Sequence, residues 1–203
     1  SANHLSWWQQ IPAFRDDYRC IAPDQRRFGL SPDTEGRGVA AFADDLLSML
    51  DHLGIERAAL VGHSMGGWPV ASVASQHPER VAALVLSATP GGLIDPDRHR
   101  DLMAAGADSI PAVDPLDPPT EFLSEAIGEL NRDAPDEWEQ TRAVLDDLPL
   151  DADRVVDAGV PVQVIAGEAD EFMPEPAVAA VAERLDAESE IVPGAAHSVY
   201  FEQ

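Results

Sequence analysis

The sequence contains no lysine, and its charge is strongly one-sided. All 13 basic residues are arginine, against 37 acidic residues, which gives a formal net charge of −24 at pH 7 over 203 residues. Such a surface repels nucleic acid and anionic membranes, so we expect neither as a partner. The acidic residues are spread along the chain rather than gathered in one tail, which argues against a disordered acidic arm.

Cysteine and long apolar segments are also scarce. Cys20 is the only cysteine, so no internal disulfide can form, and its apolar surroundings predict a core position. No stretch approaches the roughly 18 apolar residues that a transmembrane helix needs, and the first residues lack the basic and apolar segments of a signal peptide. We therefore expect a soluble, cytoplasmic protein.

The order of apolar segments predicts an α/β fold. A hydrophobic content of 45% in 203 residues is enough for one sizeable core. Short apolar runs alternate with segments of helical periodicity, which is typical of a mostly parallel sheet flanked by helices. The predicted strands cover residues 19–22, 58–61, 81–86, 160–166 and 189–192. The predicted helices beside them cover residues 7–14, 39–53, 69–76 and 174–185.

This alternation stops after the third predicted strand. The sequence there predicts helical pieces broken by prolines, at residues 99–105, 120–130 and 135–148. We therefore predict one domain in which residues 1–92 and 156–203 form the α/β core and residues 93–155 form a helical insertion.

A hexapeptide at residues 62–67, Gly-His-Ser-Met-Gly-Gly, is the most informative motif of the chain. It follows an apolar run and precedes a helix-like segment, the context of a nucleophile elbow, in which a serine lies at the tip of a sharp turn. Ser64 is the candidate nucleophile, and Gly62 and Gly66 are expected to let strand and helix close without a side-chain clash. The backbone N–H of Met65 is the candidate oxyanion donor. The alternative is an ordinary serine in a glycine-rich turn.

A nucleophilic serine needs a base, and the base needs an orienting carboxylate. Asp170 follows one predicted strand and His197 follows the next, so both lie where catalytic groups of a parallel sheet collect. The order Ser64, Asp170, His197 is the order that this class of site requires. Glu168 and Glu171 flank Asp170 and compete with it as the orienting acid.

Together these motifs resemble those of the α/β-hydrolase fold superfamily, in its small cap-bearing branch of esterases and lactonases. The resemblance runs almost end to end, and it is specific for the superfamily but not for a substrate. Its motifs are Ala-Pro-Asp at 22–24 with Phe-Gly-Leu-Ser at 28–31, the elbow, His-Pro-Glu-Arg-Val at 77–81, Gly-Glu-Ala-Asp at 167–170 with Pro174, and Gly-Ala-Ala-His at 194–197. Arg27 departs from the pattern, since related chains usually carry glycine there.

The resemblance implies that residues 93–155 form a cap over Ser64. Apolar side chains of the cap are then candidates for the substrate pocket, although such residues often only pack a helix down. The candidates are Met103, Ile110, Phe122, Leu123, Trp138 and Leu145. The resemblance also implies that a His-Gly loop, just upstream of Ser1, supplies the second oxyanion N–H. It further implies that two or three strands of the sheet, upstream of Ser1, are missing from the chain. We therefore expect the chain to be a piece of a longer protein, unless a second copy of the chain or a shifted strand takes the place of the missing strands.

These residues predict a serine hydrolase that cleaves a small carboxylic ester or lactone through Ser64, His197 and Asp170. The serine argues against the epoxide hydrolase and dehalogenase branches, which resemble this chain but use an aspartate at the elbow. Two alternatives stay open: a carbon–carbon hydrolase or perhydrolase on the same triad, and a non-catalytic binding protein with an incomplete oxyanion hole. The oligomeric state is also open, with a homo-oligomer as one possibility.

The remaining titratable groups predict no further site. The nearest approach to a metal-ligand cluster is Asp95, Asp97 and His99. Their spacing fits no zinc or calcium loop, so we predict no metal and no cofactor. His63 is expected to point away from the nucleophile and to pack beside the elbow, whereas His4, His52 and His99 are expected at the surface.

The missing lysine and the net charge of −24 together resemble the composition of proteins from salt-accumulating organisms. In such organisms concentrated salt screens the repulsion between carboxylates that would otherwise strain the compact state. The alternative is an ordinary acidic protein.

Overall fold

A parallel sheet lies at the centre of the fold, as the sequence predicts. The computed structural model of the chain describes residues 3–113, 115–131, 134 and 138–202, except for the side chain of Trp138. Within those residues the strands are β1 (Ala58–His63), β2 (Val81–Ser87), β3 (Val162–Gly167) and β4 (Glu188–Val192). They lie side by side in chain order, and each neighbouring pair is parallel.

The two middle strands are covered on both faces, and most of their side chains are buried or half-buried. Leu84 and Leu86 of β2 are completely buried, as are Val164 and Ala166 of β3. Apolar and β-branched side chains fit such a covered, pleated surface. The first three residues of β4 are exposed, which is typical of a strand at a sheet edge.

Helices fill the connections, because parallel neighbours cannot be joined by a tight hairpin. Before β1 lie a 3-10 turn at His4–Trp7, α1 (Gln10–Phe14), a 3-10 turn at Gly38–Ala41 and α2 (Phe42–His52). Between β1 and β2 lie a 3-10 turn at Ser64–Gly66, α3 (Gly67–Gln76) and a 3-10 turn at Pro78–Arg80. Between β2 and β3 lie α4 (Pro96–Gly106), a 3-10 turn at Ala107–Ser109, α5 (Pro118–Glu129), α6 (Trp138–Asp146) and α7 (Ala152–Asp157). After β3 lie α8 (Glu175–Leu185), then β4 and α9 (Val199–Glu202).

The main core joins the sheet to the helices that follow its strands. Helix α3 packs on β1 and β2, α8 packs on β3 and β4, and α7 contacts both helices. Val73 of α3, Val155 of α7 and Val181 of α8 are buried in this core. Removing such a side chain costs about 2 to 5 kcal/mol, so these contacts fix where the strand ends lie. None of the described helices is both long and apolar enough to span a membrane.

A second, smaller cluster fastens α6 to the core. Its members are buried aromatic and aliphatic side chains: Phe28, Val39, Phe42, Trp68 and Leu145. The guanidinium carbon of Arg142 lies 4.9 Å from the Trp68 ring centroid, a cation–π contact on the same helix as Leu145. Because Trp68 lies in the first turn of α3, this cluster holds α6 next to the turn at Ser64–Gly66.

The strand predicted at residues 19–22 is wrong. This segment has no regular secondary structure, and two of its four residues, Arg19 and Ile21, are exposed. A strand persists only where a neighbouring strand pairs with its backbone, and within the described residues the sheet ends at β1. Cys20 is therefore only half-buried rather than part of the core, and the helical insertion follows the second strand instead of the third.

Two short helices were not predicted. Helix α7 contributes Ala152 and Val155 to the main core, and the predicted boundary between residues 155 and 156 falls inside it. Helix α9 ends the described chain and packs against the 3-10 turn at His4–Trp7. Helices of four to six residues carry too few turns for their periodicity to be recognised.

Candidate active site

The chain turns sharply at Ser64, as the elbow motif predicts. β1 ends at His63, a 3-10 turn covers Ser64–Gly66, and α3 begins at Gly67. The backbone of Ser64 has φ +50°, a left-handed conformation that non-glycine residues rarely adopt. Holding it there costs about 1 to 3 kcal/mol, which the packing of strand and helix must supply.

The glycines of the elbow have unequal roles. A Cβ at Gly62 would lie 2.5 Å from the Gly66 carbonyl oxygen and from Val70 Cγ2, so this position requires glycine. The prediction for Gly66 is wrong, since a Cβ there would meet nothing nearer than 4.0 Å. Gly67 has that role instead, because a Cβ at Gly67 would overlap the side chain of Thr89.

Asp170 follows the carboxyl end of β3 and is completely buried. Its Oδ1 accepts hydrogen bonds from the backbone N–H groups of Phe172 (2.9 Å) and Met173 (3.1 Å). These bonds fix the carboxylate and compensate for its burial. Gly167 allows the next segment to approach, because a Cβ there would overlap the carbonyl oxygens of Ala195 and Ala196.

His197 lies between Ser64 and Asp170. Its Nδ1 is 3.1 Å from both carboxylate oxygens of Asp170, and its Nε2 is 2.9 Å from Ser64 Oγ. The carboxylate can only accept, so the arrangement assigns the imidazole proton to Nδ1 and leaves Nε2 as the acceptor for the serine hydroxyl. The structure thus brings together three residues from three separate segments of the chain.

The two competing carboxylates lie elsewhere. Glu168 Oε2 accepts a hydrogen bond from the Gly194 N–H at 3.0 Å, and Glu171 is exposed. Of the three acidic side chains in this loop, Asp170 is the one that contacts His197.

Aromatic rings enclose the imidazole of His197. The ring centroids of Phe172 and His63 lie 4.8 Å and 5.1 Å from that of His197. The ring centroid of Tyr200 lies 4.4 Å from that of His63. His63 packs beside the elbow as predicted, but it faces His197 rather than pointing away from the site. Burial, together with the nearby charge of His197, lowers the pKa of His63 to about 3. His63 is therefore a neutral ring whose Nδ1 lies 3.2 Å from Ser87 Oγ.

The pocket candidates differ in their surroundings. Leu145 is completely buried in the second cluster, beside which Met65 packs, so it holds α6 in place rather than lining a pocket. Phe122 is 71% exposed and borders an open depression on α5 together with Glu125 and Glu129. Met103, Ile110 and Leu123 are half-buried and stay predictions, and the side chain of Trp138 lies outside the described residues.

Two histidines expected at the surface have specific partners. His99 is 6% exposed, and its Nε2 lies 2.9 Å from the Phe172 carbonyl oxygen, which joins α4 to the loop of Asp170. Burial lowers the pKa of His99. His4 Nδ1 lies 2.8 Å from Asp24 Oδ1. Sequence reasoning missed both pairs because the partners are distant in the chain and no spacing rule connects them.

The acidic residues before His99 have a structural role. Asp95 caps the N-terminus of α4 by accepting a hydrogen bond from the Arg98 N–H. Within the described residues, no group of three metal-ligating side chains is present.

Comparison with known proteins identifies the fold family. A family model described as the alpha/beta hydrolase fold matches residues 1–112, more than half of the chain. This chain belongs to the alpha/beta hydrolase fold family.

Proteins similar to this chain include several kinds of hydrolase. Epoxide hydrolase A of Mycobacterium tuberculosis is 40% identical over 89 residues, 42% of this chain and 28% of that protein. A carboxylesterase structure from Nitrososphaera gargenis matches with a TM-score of 0.72 at 20% identity, over 99% of this chain and 81% of that one. A serine hydrolase from Cycloclasticus zankles matches with a TM-score of 0.67 at 25% identity, over 99% and 81%. The chain spans about a third of the length of the curated relatives that it matches.

Proposed function

We propose that the protein is a serine hydrolase that cleaves a small carboxylic ester or lactone. The observation that carries the proposal is the unbroken series of hydrogen bonds from Ser64 Oγ through His197 to the buried carboxylate of Asp170. His197 Nε2 is placed to accept the serine proton, and the Asp170 carboxylate contacts the other ring nitrogen of that base. Nucleophilic catalysis by a serine needs this arrangement.

In the proposed reaction His197 Nε2 takes the hydroxyl proton while Ser64 Oγ attacks the ester carbonyl. Asp170 holds the Nδ1 tautomer and stabilises the imidazolium that forms. The Met65 N–H, at the start of the helical segment, donates to the developing oxyanion; one such donor typically contributes about 100- to 1000-fold in turnover. His197 then protonates the leaving alcohol, and water releases the acyl group from Ser64 by the same route.

Two considerations favour an ester or lactone over other substrates. The residue at the elbow is Ser64, whereas the epoxide hydrolase branch resembles this chain but uses an aspartate there. The solved structures that share the fold include a carboxylesterase and a serine hydrolase, and also a meta-cleavage product hydrolase, so this second consideration is the weaker one. Carbon–carbon hydrolysis and peracid formation would use the same triad, so substrate screening must separate them.

The test compares purified wild-type protein with Ser64→Ala on p-nitrophenyl esters of increasing acyl length. We expect the variant to lose turnover by roughly 1000-fold or more, because only substrate binding and the oxyanion contacts remain. Ser72→Ala is the matched control: it removes a buried serine from α3, and its turnover should equal that of the wild type.

Lactones, an epoxide and a carbon–carbon hydrolase substrate complete the panel. Ester hydrolysis by folded Ser64→Ala at the wild-type rate would contradict the proposal. Turnover of the carbon–carbon substrate alone, abolished by the same variant, would keep the nucleophile and change the substrate class. A folded wild-type protein that turns over nothing would favour a non-catalytic binding role.

A further inference from the structure

The segment that carries His197 is an irregular loop. It covers residues 193–198, between β4 and α9, so it lacks the repeating backbone hydrogen bonds that hold a strand or a helix in place. The His197 side chain is 29% exposed, and rings contact it from Phe172 and His63. Its position between Ser64 and Asp170 therefore depends on what fixes the backbone of the loop.

Two carboxylates accept hydrogen bonds from the loop backbone. Glu168 Oε2 accepts one, from Gly194 N–H at 3.0 Å. Glu202 accepts two: its Oε2 lies 2.5 Å from the Ala196 nitrogen and its Oε1 lies 3.3 Å from the Ser198 nitrogen. The two amides held by Glu202 belong to the residues immediately before and after His197.

We propose that Glu202 is a positioning residue for His197. One carboxylate holds the backbone N–H groups of the residues before and after the histidine, and this restricts the backbone at His197 and the direction of its side chain. The inference rests on the proposed function, since it assigns Glu202 a role through the base of that triad. Hydrogen bonds from amides to a carboxylate are about twice as strong as those between neutral groups, so the carboxylate is well suited to hold an irregular loop.

Geometry also fixes where Glu202 itself lies. Glu202 is at the end of α9, and its own N–H donates to the Ser198 carbonyl oxygen at 3.1 Å. The two residues before it, Tyr200 and Phe201, pack on Trp7, the last residue of the first 3-10 turn, and on Trp8, which follows that turn. Helix α9 thus ties the histidine loop to the N-terminal part of the described chain.

The difference between Glu202 and Glu168 provides a matched pair of variants. Glutamine has one acceptor oxygen and one amide group that can only donate. In Glu202→Gln one of the two loop amides would face a donor, so the two-point contact is broken. In Glu168→Gln the single contact to Gly194 survives, because the glutamine oxygen can accept it. Both variants remove one negative charge, so a charge effect alone would be the same in both.

The first measurement is steady-state hydrolysis of the best ester from the panel. Glu202→Gln should lower kcat by about 10- to 100-fold, the order expected when a reacting group is misplaced by a fraction of an ångström to 1 Å. KM should stay within about threefold of the wild type, because Glu202 is not placed against substrate. Glu168→Gln should keep both values within about threefold. Glu202→Asp, which retains two acceptor oxygens, should recover part of the loss.

The second measurement does not depend on turnover. The Nδ1 proton between His197 and Asp170 should give a far-downfield proton NMR signal in the wild type, in Glu168→Gln and in Ser64→Ala. Glu202→Gln should shift or broaden that signal while circular dichroism shows a folded protein.

The two measurements separate the possible failures. If Ser64→Ala hydrolyses esters normally, the proposed function fails, and the NMR comparison still decides whether Glu202 positions His197. If Glu202→Gln leaves both kcat and the signal unchanged, the positioning role is wrong. If Glu202→Gln and Glu168→Gln lose kcat equally, with equal loss of thermal stability, the role of Glu202 is merely structural.

Discussion

At the residue scale, His63 is a half-buried titratable ring that packs on the proposed base, His197. Burial comes first among the causes that lower its pKa to about 3, and the charge of His197 adds to it. In the folded protein His63 therefore stays neutral well below the pH at which a histidine in the unfolded chain takes up a proton, about 6.5. The unfolded state then binds more protons than the folded state between these two pKa values, so the free energy of unfolding falls as the pH drops through this range.

His63→Asn tests this directly, because asparagine can keep a hydrogen bond to Ser87 but cannot titrate. Between about pH 7 and pH 5, the wild type should lose about 1 to 2 kcal/mol more unfolding free energy than the variant. Urea unfolding curves at both pH values give the difference. Parallel loss in the two proteins would show that His63 is protonated in the folded state as readily as in the unfolded chain.

The three candidate catalytic residues could be located from the sequence, because local motifs determine where they lie. Ser64 is at the elbow, and Asp170 and His197 each follow a strand end, as predicted. Arg27, the departure from the family pattern, occupies the position with φ +68°, where glycine would carry no steric cost. Contacts such as His99 with Phe172 or Glu202 with Ala196 depend on how loops approach one another, and no local pattern encodes that.

At the element scale, the four strands of the sheet were predicted well. β1, β2, β3 and β4 each lie within about two residues of the predicted bounds. The apolar runs of β2 and β3 are a strong signal for a buried strand, whereas β1 and β4 expose part of their length. The segment at 19–22 has the same apolar character but no strand beside it. Strand formation is thus a property of a pair, and a single run of sequence cannot reveal whether the partner is present.

The helices of the insertion were also predictable only in part. Their existence and order agree with the proline-broken pattern, but what each face contacts was not predictable. Leu145 and Phe122 are both apolar residues at helical positions, yet one is completely buried against Trp68 and the other is exposed. Helical periodicity identifies an apolar face and leaves open whether it meets the core, a substrate or solvent.

At the scale of the whole molecule, the most prominent property is the large negative net charge. Arginine makes several close ion pairs, such as Arg26 with Asp45 and Arg80 with Asp51, but 37 acidic residues outnumber the 13 arginines, so a net 24 negative charges remain even if every arginine is paired. Repulsion among the remaining carboxylates opposes the compact state. Added salt shortens the screening length from about 10 Å at 0.1 M to about 3 Å at 1 M.

We therefore expect the thermal stability of the protein to rise with potassium chloride. From about 0.1 M to about 2 M, the Tm should increase by more than roughly 5 °C, which corresponds to at least about 1 kcal/mol for a chain of this length. Differential scanning calorimetry measures the shift, and a sucrose series at matched osmolality controls for general exclusion effects. A Tm that is flat or falling in salt would leave the composition without a halophilic explanation.

The proposed activity depends on Ser64 acting as a nucleophile that His197 activates. Its most direct test is covalent labelling with a fluorophosphonate, followed by intact-mass measurement and peptide mapping. We expect one adduct per chain on the peptide that contains Ser64 and no adduct at that position in Ser64→Ala. Labelling should slow by roughly 100-fold or more in His197→Ala, since the base contributes about 100- to 10,000-fold. Labelling of another residue at the same rate, or labelling of Ser64 that is unaffected by loss of His197, would contradict it.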